Sequence, residues 1–296
     1  MDKDSKILNQ GPKIIISGAS GFLGSALTNY FISNKFQVIA LVRKLPVEKV
    51  EGVRYSILNL NKQVEESVFE NAFCFIHCAY IRSDASADSV KNNFEGTGKL
   101  LQLCSAYSVK KRIFISSLSA NGINNSAYAL QKIQTEKLFT GPHDLILRPG
   151  LVLGNGGLVR SMIEQLKNHR FIPLLNGGKQ KIQTVYINDL VEVINECIQK
   201  NTTGTLSVAE KQPVLFSDFI RSLNRKLKTS CIFIPTPYWI IAMGLSLLKS
   251  IGIRSAINKD NLMGLKNATP CDLNADLNRI TTPIRSFDKS LTALIS

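Results

Sequence analysis

Cysteine and histidine are scarce in this 296-residue chain, and each shortage removes a class of protein. The six cysteines stand at no metal-ligand spacing and at no disulfide-framework density, so neither a zinc module nor a small disulfide scaffold is encoded. Of the three histidines, His143 and His169 are isolated from any imidazole, thiol or carboxylate at metal spacing, and no metal site is expected. No Gly-x-Ser-x-Gly elbow precedes a helix, which argues against an α/β-type serine hydrolase. The most hydrophobic stretch, Tyr238 to Leu248, runs 11 residues, short of the ~20 that span a bilayer. Met1 to Pro12 is polar and carries Asp2 and Asp4, unlike a secretory signal, so a reduced cytoplasmic setting is expected. There is no internal repeat and no low-complexity segment.

What remains is basic and globular. Lys plus Arg number 36 against 22 Asp plus Glu, for a formal charge of +14. Residues 1–150 carry 18 basic and 12 acidic side chains, and the rest carry 18 and 10, so the excess is spread along the chain. A spread excess suits a small anionic ligand and marks no nucleic-acid stripe. The tightest run, Lys110-Lys111-Arg112, reads as a solvated connection between a helix and a strand. Apolar residues at 44% are enough for one large α/β domain or two modest ones.

Short β-branched runs at Lys13–Ser17, Gln37–Val42, Val53–Ile57, Phe73–Ala79, Arg112–Ser116 and Asp144–Leu147 lack polar alternation. Such strands are buried on both faces, as in a parallel sheet. Helix-period segments lie between most of them, at Leu23–Ser33, Val90–Tyr107 and Ala127–Phe139. Repeated β-α units predict an α/β fold with a doubly wound parallel sheet. After Arg148 the pattern weakens into glycine turns at Gly154–Gly157 and Asn176–Gly178. A helix at Leu158–Asn168, a strand and helix at Thr184–Gln199 and a strand at Thr205–Val208 follow. Beyond Glu210 come a helix at Ser217–Leu227, a strand at Cys231–Ile234 and an apolar helix after Pro237. That last helix reads as buried; an interfacial helix is the alternative, because Lys249, Arg254 and Lys259 follow it. Contact with a membrane surface is accordingly disfavoured but open.

Ile14-Ile15-Ile16-Ser17-Gly18-Ala19-Ser20-Gly21-Phe22-Leu23-Gly24 is a buried strand entering a glycine turn and then a helix. This context suits pyrophosphate binding by backbone N–H groups at the helix start. The second strand ends in Arg43-Lys44. A carboxylate there would bond the ribose 2′-hydroxyl of NAD; Arg43, with Lys44 in support, suits the 2′-phosphate of NADP. NADP(H) is therefore expected over NAD(H). Tyr128 and Lys132 lie four apart on one helix face, and an ammonium near a phenol favours the phenolate. Tyr128 is then a candidate acid/base for a carbonyl or alcohol. Ser117, and after it Ser119, fall at the end of the preceding strand, where a hydroxyl can orient the same oxygen. Cys74 and Cys78 share strand parity and are expected in the core.

In this order the motifs resemble the extended short-chain dehydrogenase/reductase superfamily, of the NAD-dependent epimerase/dehydratase-like kind, over nearly the whole chain. Gly18-x-x-Gly21-x-x-Gly24 is similar to its cofactor loop, with Ser20, Phe22 and Leu23 inside it. Phe75-Ile76-His77-Cys78-Ala79 is similar to its fourth strand, and Asn93-Phe94-Glu95-Gly96-Thr97 to the following helix. Ser117, Tyr128 and Lys132 match the catalytic trio, and Arg148-Pro149-Gly150 the segment beside the nicotinamide. Thr184-Val185-Tyr186-Ile187-Asn188-Asp189-Leu190 resembles a later strand-to-helix turn. The resemblance implies a Rossmann core at 1–155, rejoined by 182–208, and a smaller interleaved substrate lobe at 156–181 and 209–296. It implies that Lys132 binds the nicotinamide ribose, that Asn93 orders the site, and that Cys78, Ala79, Tyr80 and Pro149 adjoin the cofactor. It also makes His77 structural. Asn59, next to Leu60, stands where the family has an acidic residue and keeps an amide for the adenine. The Ser117–Tyr128 interval is 11 residues, which trims the loop over the substrate.

Four functions are kept, a dehydratase being disfavoured because Ser117-Leu118-Ser119 lacks the acidic pair that resembling dehydratases carry beside the trio. An NADP(H)-dependent reduction of a keto group on a nucleotide-activated sugar is favoured, because an epimerase that regenerates its cofactor gains little from Arg43. A nucleotide-sugar 4-epimerase is the first alternative, and a reductase of a hydrophobic ketone, prompted by the Trp239 helix, the second. A non-catalytic NADP-binding subunit fits poorly with a retained Ser117, Tyr128 and Lys132. Lys179 and Lys181 are candidates for an anionic substrate group. Partners expected are a small molecule and, as an open assembly, a second copy in a homodimer; no nucleic acid is expected.

Overall fold

A computed structural model describes residues 11–60, 62, 64–81, 87–250 and 259–295. Met1 to Gln10, Arg254 and the stretch 251–253 after the Trp239 helix lie outside the described residues. The chain runs β1 (Gly11–Ser17), α1 (Phe22–Ser33), β2 (Phe36–Val42), β3 (Val53–Ile57), β4 (Cys74–His77), α2 (Ala87–Ala106), β5 (Lys111–Ile115), α3 (Ala127–Glu136) and β6 (Asp144–Pro149). It continues with β7 (Leu151–Leu153), α4 (Gly157–Asn168), β8 (Phe171–Leu175), β9 (Lys181–Ile182), β10 (Thr184–Tyr186), α5 (Ile187–Gln199), β11 (Gly204–Val208), β12 (Val214–Leu215) and α6 (Phe216–Lys226). It closes with β13 (Ile232–Thr236), α7 (Tyr238–Ser250), α8 (Lys259–Lys266), α9 (Asn274–Leu277) and α10 (Phe287–Ile295). Two compact units result. One takes the chain up to Ile115 with Gln134–Leu147 and Val191–Leu206; the other takes Ser116–Ile133, Arg148–Leu190 and the chain from Ser207.

The first unit is built on a seven-stranded sheet in the order β11-β6-β5-β4-β1-β2-β3. Parallel ladders join β3 to β2, β2 to β1, β1 to β4, β4 to β5 and β5 to β6. This is the expected α/β, doubly wound Rossmann sheet. Ile14 to Ser17, Val38 to Val42 and all of β4 are buried, as strands covered on both faces must be. Ile15, Ile39, Leu41 and Phe75 pack with Val68, Phe69, Leu100 and Cys104 in one core cluster. Strand order reverses between β1 and β4, the place where open α/β sheets bind ligands.

The second unit has three separate two-stranded pairings: β7 with β10 and β8 with β13, both parallel, and β9 with β12, antiparallel. Its core cluster joins strand residues Leu153, Leu174 and Ile182 to helix residues. Phe216, Phe219, Ile220 and Leu223 of α6 recur at one-turn spacing and pack in one cluster with Phe287 and Leu291 of α10. Gly178 makes the turn before β9 at φ +71, where an added Cβ would lie 2.7 Å from the Ser217 nitrogen.

The Trp239 helix departs from the buried reading. α7 leaves Trp239, Ile240, Met243 and Leu247 exposed. An apolar run suggests cover on all sides, but α7 packs on α8 and β8 and leaves these four in water. Among the described residues no helix is long and apolar enough to cross a membrane.

Candidate active site

In the first unit the glycine loop is held by backbone. The Leu41 carbonyl accepts from the N–H groups of Gly18 (3.0 Å) and Ala19 (3.3 Å), and Gly21 N–H bonds the Gly18 carbonyl at 2.9 Å. Gly18 has φ +69, and a Cβ on it would lie 2.7 Å from the Ala79 nitrogen. A Cβ on Gly24 would lie 2.2 Å from the Gly18 carbonyl oxygen. Both positions therefore require glycine. No side chain caps α1, so its first turn, with Phe22, Leu23 and Gly24, keeps the backbone character of an anion-binding helix start. Ser20 is exposed beside it. Arg43 and Lys44 are exposed in the bend after β2, two and three residues beyond the Leu41 carbonyl that anchors the loop.

A buried polar chain braces the same region. Ser17 Oγ stands 2.7 Å from His77 Nδ1, and His77 Nε2 stands 2.9 Å from Thr97 Oγ1. Thr97 in turn donates to the Asn93 carbonyl at 2.6 Å. His77 is thus structural, as the resemblance implied. Asn93 clamps the loop after β4: its Nδ2 donates to the Ile81 carbonyl (3.1 Å) and its Oδ1 accepts from the Ile81 N–H (2.8 Å). These bonds tie α2 to the chain just past the Cys78-Ala79-Tyr80 stretch. Cys74 is fully buried, but Cys78 lies just past the end of β4 and only half-buried, contrary to the core expected for both. Burial pushes the Cys104 thiol up to about 12. Asn59 is half-buried after β3, its carbonyl accepting from Lys62 N–H at 2.9 Å, and Leu60 is buried beside it.

In the second unit Ser117 lies two residues past the end of β5. Its Oγ lies 2.7 Å from Ser119 Oγ and accepts from the Ser119 N–H at 3.2 Å. Leu118 N–H bonds the Pro149 carbonyl at 2.9 Å, tying this turn to the end of β6. Tyr128 is the second residue of α3, and the buried Lys132 sits one turn on, its Nζ 5.7 Å from the Tyr128 ring centroid.

One feature of this site was not read from sequence. Asp260 of α8 reaches the start of α3, Oδ1 accepting from Ala127 N–H (2.7 Å) and Oδ2 from Tyr128 N–H (3.2 Å). The carboxylate satisfies two of the helix's open donors and sits at the positive end of its dipole. Asn124 Nδ2 adds a bond to the Gly264 carbonyl of α8 at 2.9 Å. No spacing rule links Asp260 to residues more than 130 positions earlier. Gln183, buried, holds another long-range junction: it bonds the carbonyls of Glu210, Lys211 and Cys271 and accepts from Cys271 N–H. Lys179 and Lys181 are exposed around β9, and no hydrogen bond or ion pair among the described residues ties them to the Ser117–Lys132 segment. Among the described residues no group of three His, Cys, Asp or Glu is placed to hold a metal ion.

A glycine-cradled helix start after β1 and a Tyr-Lys pair on α3 define a nicotinamide-dependent oxidoreductase of the short-chain type. The chain belongs to the NAD-dependent epimerase/dehydratase family, whose model matches residues 14–209. It is 26% identical over 261 residues to a UDP-glucose 4-epimerase of Vibrio cholerae, covering 76% of this chain and 79% of that one. It is 22% identical over 266 residues to the human sterol-4-alpha-carboxylate 3-dehydrogenase, decarboxylating, covering 78% and 71%. A solved UDP-glucuronic acid 4-epimerase of Bacillus cereus, in complex with UDP-glucuronic acid and NAD, has the same fold. Its TM-score is 0.75 over 96% of this chain and 98% of that one, at 19% identity.

Proposed function

We propose that this enzyme uses NADP(H) to reduce a keto group on a nucleotide-activated sugar. The observation that carries the chemistry is the Tyr128–Lys132 pair, with the ammonium 5.7 Å from the phenol ring on a helix whose start Asp260 caps. On this reading residues 1–155 with 182–208 bind the cofactor, and 156–181 with 209–296 recognise the substrate.

The first unit fits a dinucleotide in a way that can be tested on its own atoms. Gly18 and Gly24 have no room for a Cβ, and the α1 start has no side-chain cap. Gly18, Ser20, Gly21, Phe22, Leu23 and Gly24 would hold the pyrophosphate, and Arg43 with Lys44 the 2′-phosphate. Asn59 and Leu60 would flank the adenine. Cys78, Ala79, Tyr80 and Pro149 would line the remainder. When bound, the nicotinamide gives or takes the hydride. The chain's own residues handle the proton. Ser117 Oγ donates to the carbonyl oxygen, Tyr128 Oη delivers a proton to that oxygen as it becomes an alcohol, and Lys132 stabilises the resulting phenolate. Ser119 supports Ser117 through their hydroxyl contact. Lys179 and Lys181 would meet an anionic group of the substrate.

The likeness to a UDP-glucose 4-epimerase favours one second reading, 4-epimerisation with the cofactor retained. The deciding experiment supplies a UDP-4-keto-sugar with NADPH, and separately UDP-glucose with trace cofactor. Stoichiometric NADPH consumption is expected, falling by on the order of 10²–10⁴ in Tyr128→Phe with folding intact. Interconversion of UDP-glucose and UDP-galactose without net NADPH loss would select the epimerase. Near-parent turnover in Tyr128→Phe would remove the acid/base assignment.

A further inference from the structure

The second unit carries an apolar surface for which the reaction above has no use. Along α7 the exposed residues, among those whose burial is described, are Trp239, Ile240, Met243, Gly244, Leu247 and Ser250. At 3.6 residues per turn they fall on one stripe. Tyr238, Ile241, Ala242 and Leu245 on the other side are half-buried. Trp239, Met243 and Leu247 are 64%, 61% and 64% exposed. A surface helix ordinarily turns its polar side to water; this one shows water its largest apolar groups. The adjoining β8–β13 pair repeats the inversion, since Phe171 and Ile232 are in register, as are Pro173 and Ile234, and all four are exposed.

Charge selects among the surfaces that could cover such a stripe. From Phe219 to Lys259 the chain has seven basic residues and no acidic one. Of these, Lys259 at the start of α8, which packs on α7, is exposed, and Lys266 Nζ of α8 sits 4.7 Å from the ring centroid of Tyr238 at the start of α7. The run is bounded by Asp218 and by Asp260, whose carboxylate is engaged by the α3 backbone. A second copy of this chain would bring the same positive charge to the contact, whereas an anionic lipid surface complements it. Length sets the mode of contact. The 13 residues of α7 reach about 20 Å at 1.5 Å per residue, too short for a ~30 Å hydrocarbon core. Trp and Tyr at one end suit the headgroup layer.

We infer that α7 docks this protein on an anionic bilayer surface, lying in the plane of the headgroups with Trp239, Met243 and Leu247 inserted. The inference is independent of the catalytic reading.

Trp239 is the chain's one tryptophan, so its emission reports on this helix alone. The protein is titrated with vesicles of phosphatidylcholine, or of equimolar phosphatidylcholine and phosphatidylglycerol. A blue shift and co-sedimentation are expected with the mixed vesicles, about tenfold or more weaker with phosphatidylcholine alone, and reduced by added salt. Met243→Ser with Leu247→Ser should abolish both signals at an unchanged melting temperature, because both side chains already face solvent. Absence of a shift with mixed vesicles overturns the inference, as does equal partition into the two vesicle types. A blue shift that grows with protein concentration in vesicle-free buffer, with dimers by sedimentation, assigns the stripe to a second copy and also overturns it.

Discussion

In the first unit β1, β2 and β4 are buried along most of their length and join one sheet of seven strands, whereas in the second no pairing exceeds two strands and β8 and β13 leave alternate residues in water. Exposed large apolar side chains occur in both units, at Leu45, Val47, Val50, Ile57 and Phe94 in the first, but those of the second include Phe171, Ile232 and Ile234 on one strand pair and Trp239, Ile240, Met243 and Leu247 on one helix. A doubly covered sheet fixes each strand in register through its core, because slipping one residue would leave hydrophobic groups no better placed but every ladder bond displaced. The second unit is joined instead by helix packing and side-chain bonds between distant segments. That arrangement leaves surface free for recognition.

The sharpest test of the contrast is paired truncation. Phe75→Ala, in the fully buried β4, should cost about 3–5 kcal/mol in urea unfolding. Ile234→Ala, on an exposed face of β13, should cost about 0.5 kcal/mol or less. Equal losses would break the comparison. Next in size is a change to ligand binding in the first unit alone. Arg43→Asp should weaken NADPH by about 1.5–3 kcal/mol, read by calorimetry, and leave NADH affinity near its parent value. Equal affinity of the parent protein for the two cofactors would remove the assignment. The smallest effect belongs to the second unit. Asp260→Ala should destabilise by about 0.5–2 kcal/mol, the usual worth of a helix cap, with Asp260→Asn restoring part of it. As a positioning residue for Tyr128, Asp260 should lower kcat in the alanine variant while NADPH affinity holds. A parallel fall in both would reduce it to general support.

The first unit was legible at nearly every element. β3 matched at both ends, and β1, β2, β4, β5 and β6 within a few residues, because uninterrupted β-branched runs and the helices between them record cover on both faces. The glycine loop was equally legible, since Gly18 and Gly24 answer to contacts with backbone only a few residues away or on the next strand. In the second unit α4, β10, α6 and β13 were read, but β7, β8, β9, β12, α8, α9 and α10 were not, and α7 was read as buried. Phe171–Leu175 contains Pro173, which hides the strand, and α8 is a mere eight residues with mixed character.

By itself the sequence determined the α/β class, the parallel sheet, the glycine turn between β1 and α1, and the Tyr128–Lys132 pair on one helix face. These follow from periodicities and turns that operate within about a dozen residues. Only the tertiary structure decided that Asn93 spends its amide on the Ile81 backbone, that Gln183 joins Glu210, Lys211 and Cys271, that Asp260 caps the helix of Tyr128, and that α7 faces water with its apolar side. Each of these depends on which distant segment the chain path brings alongside. Hydrophobicity along a helix says that a face seeks cover, and the neighbours alone settle whether it has any.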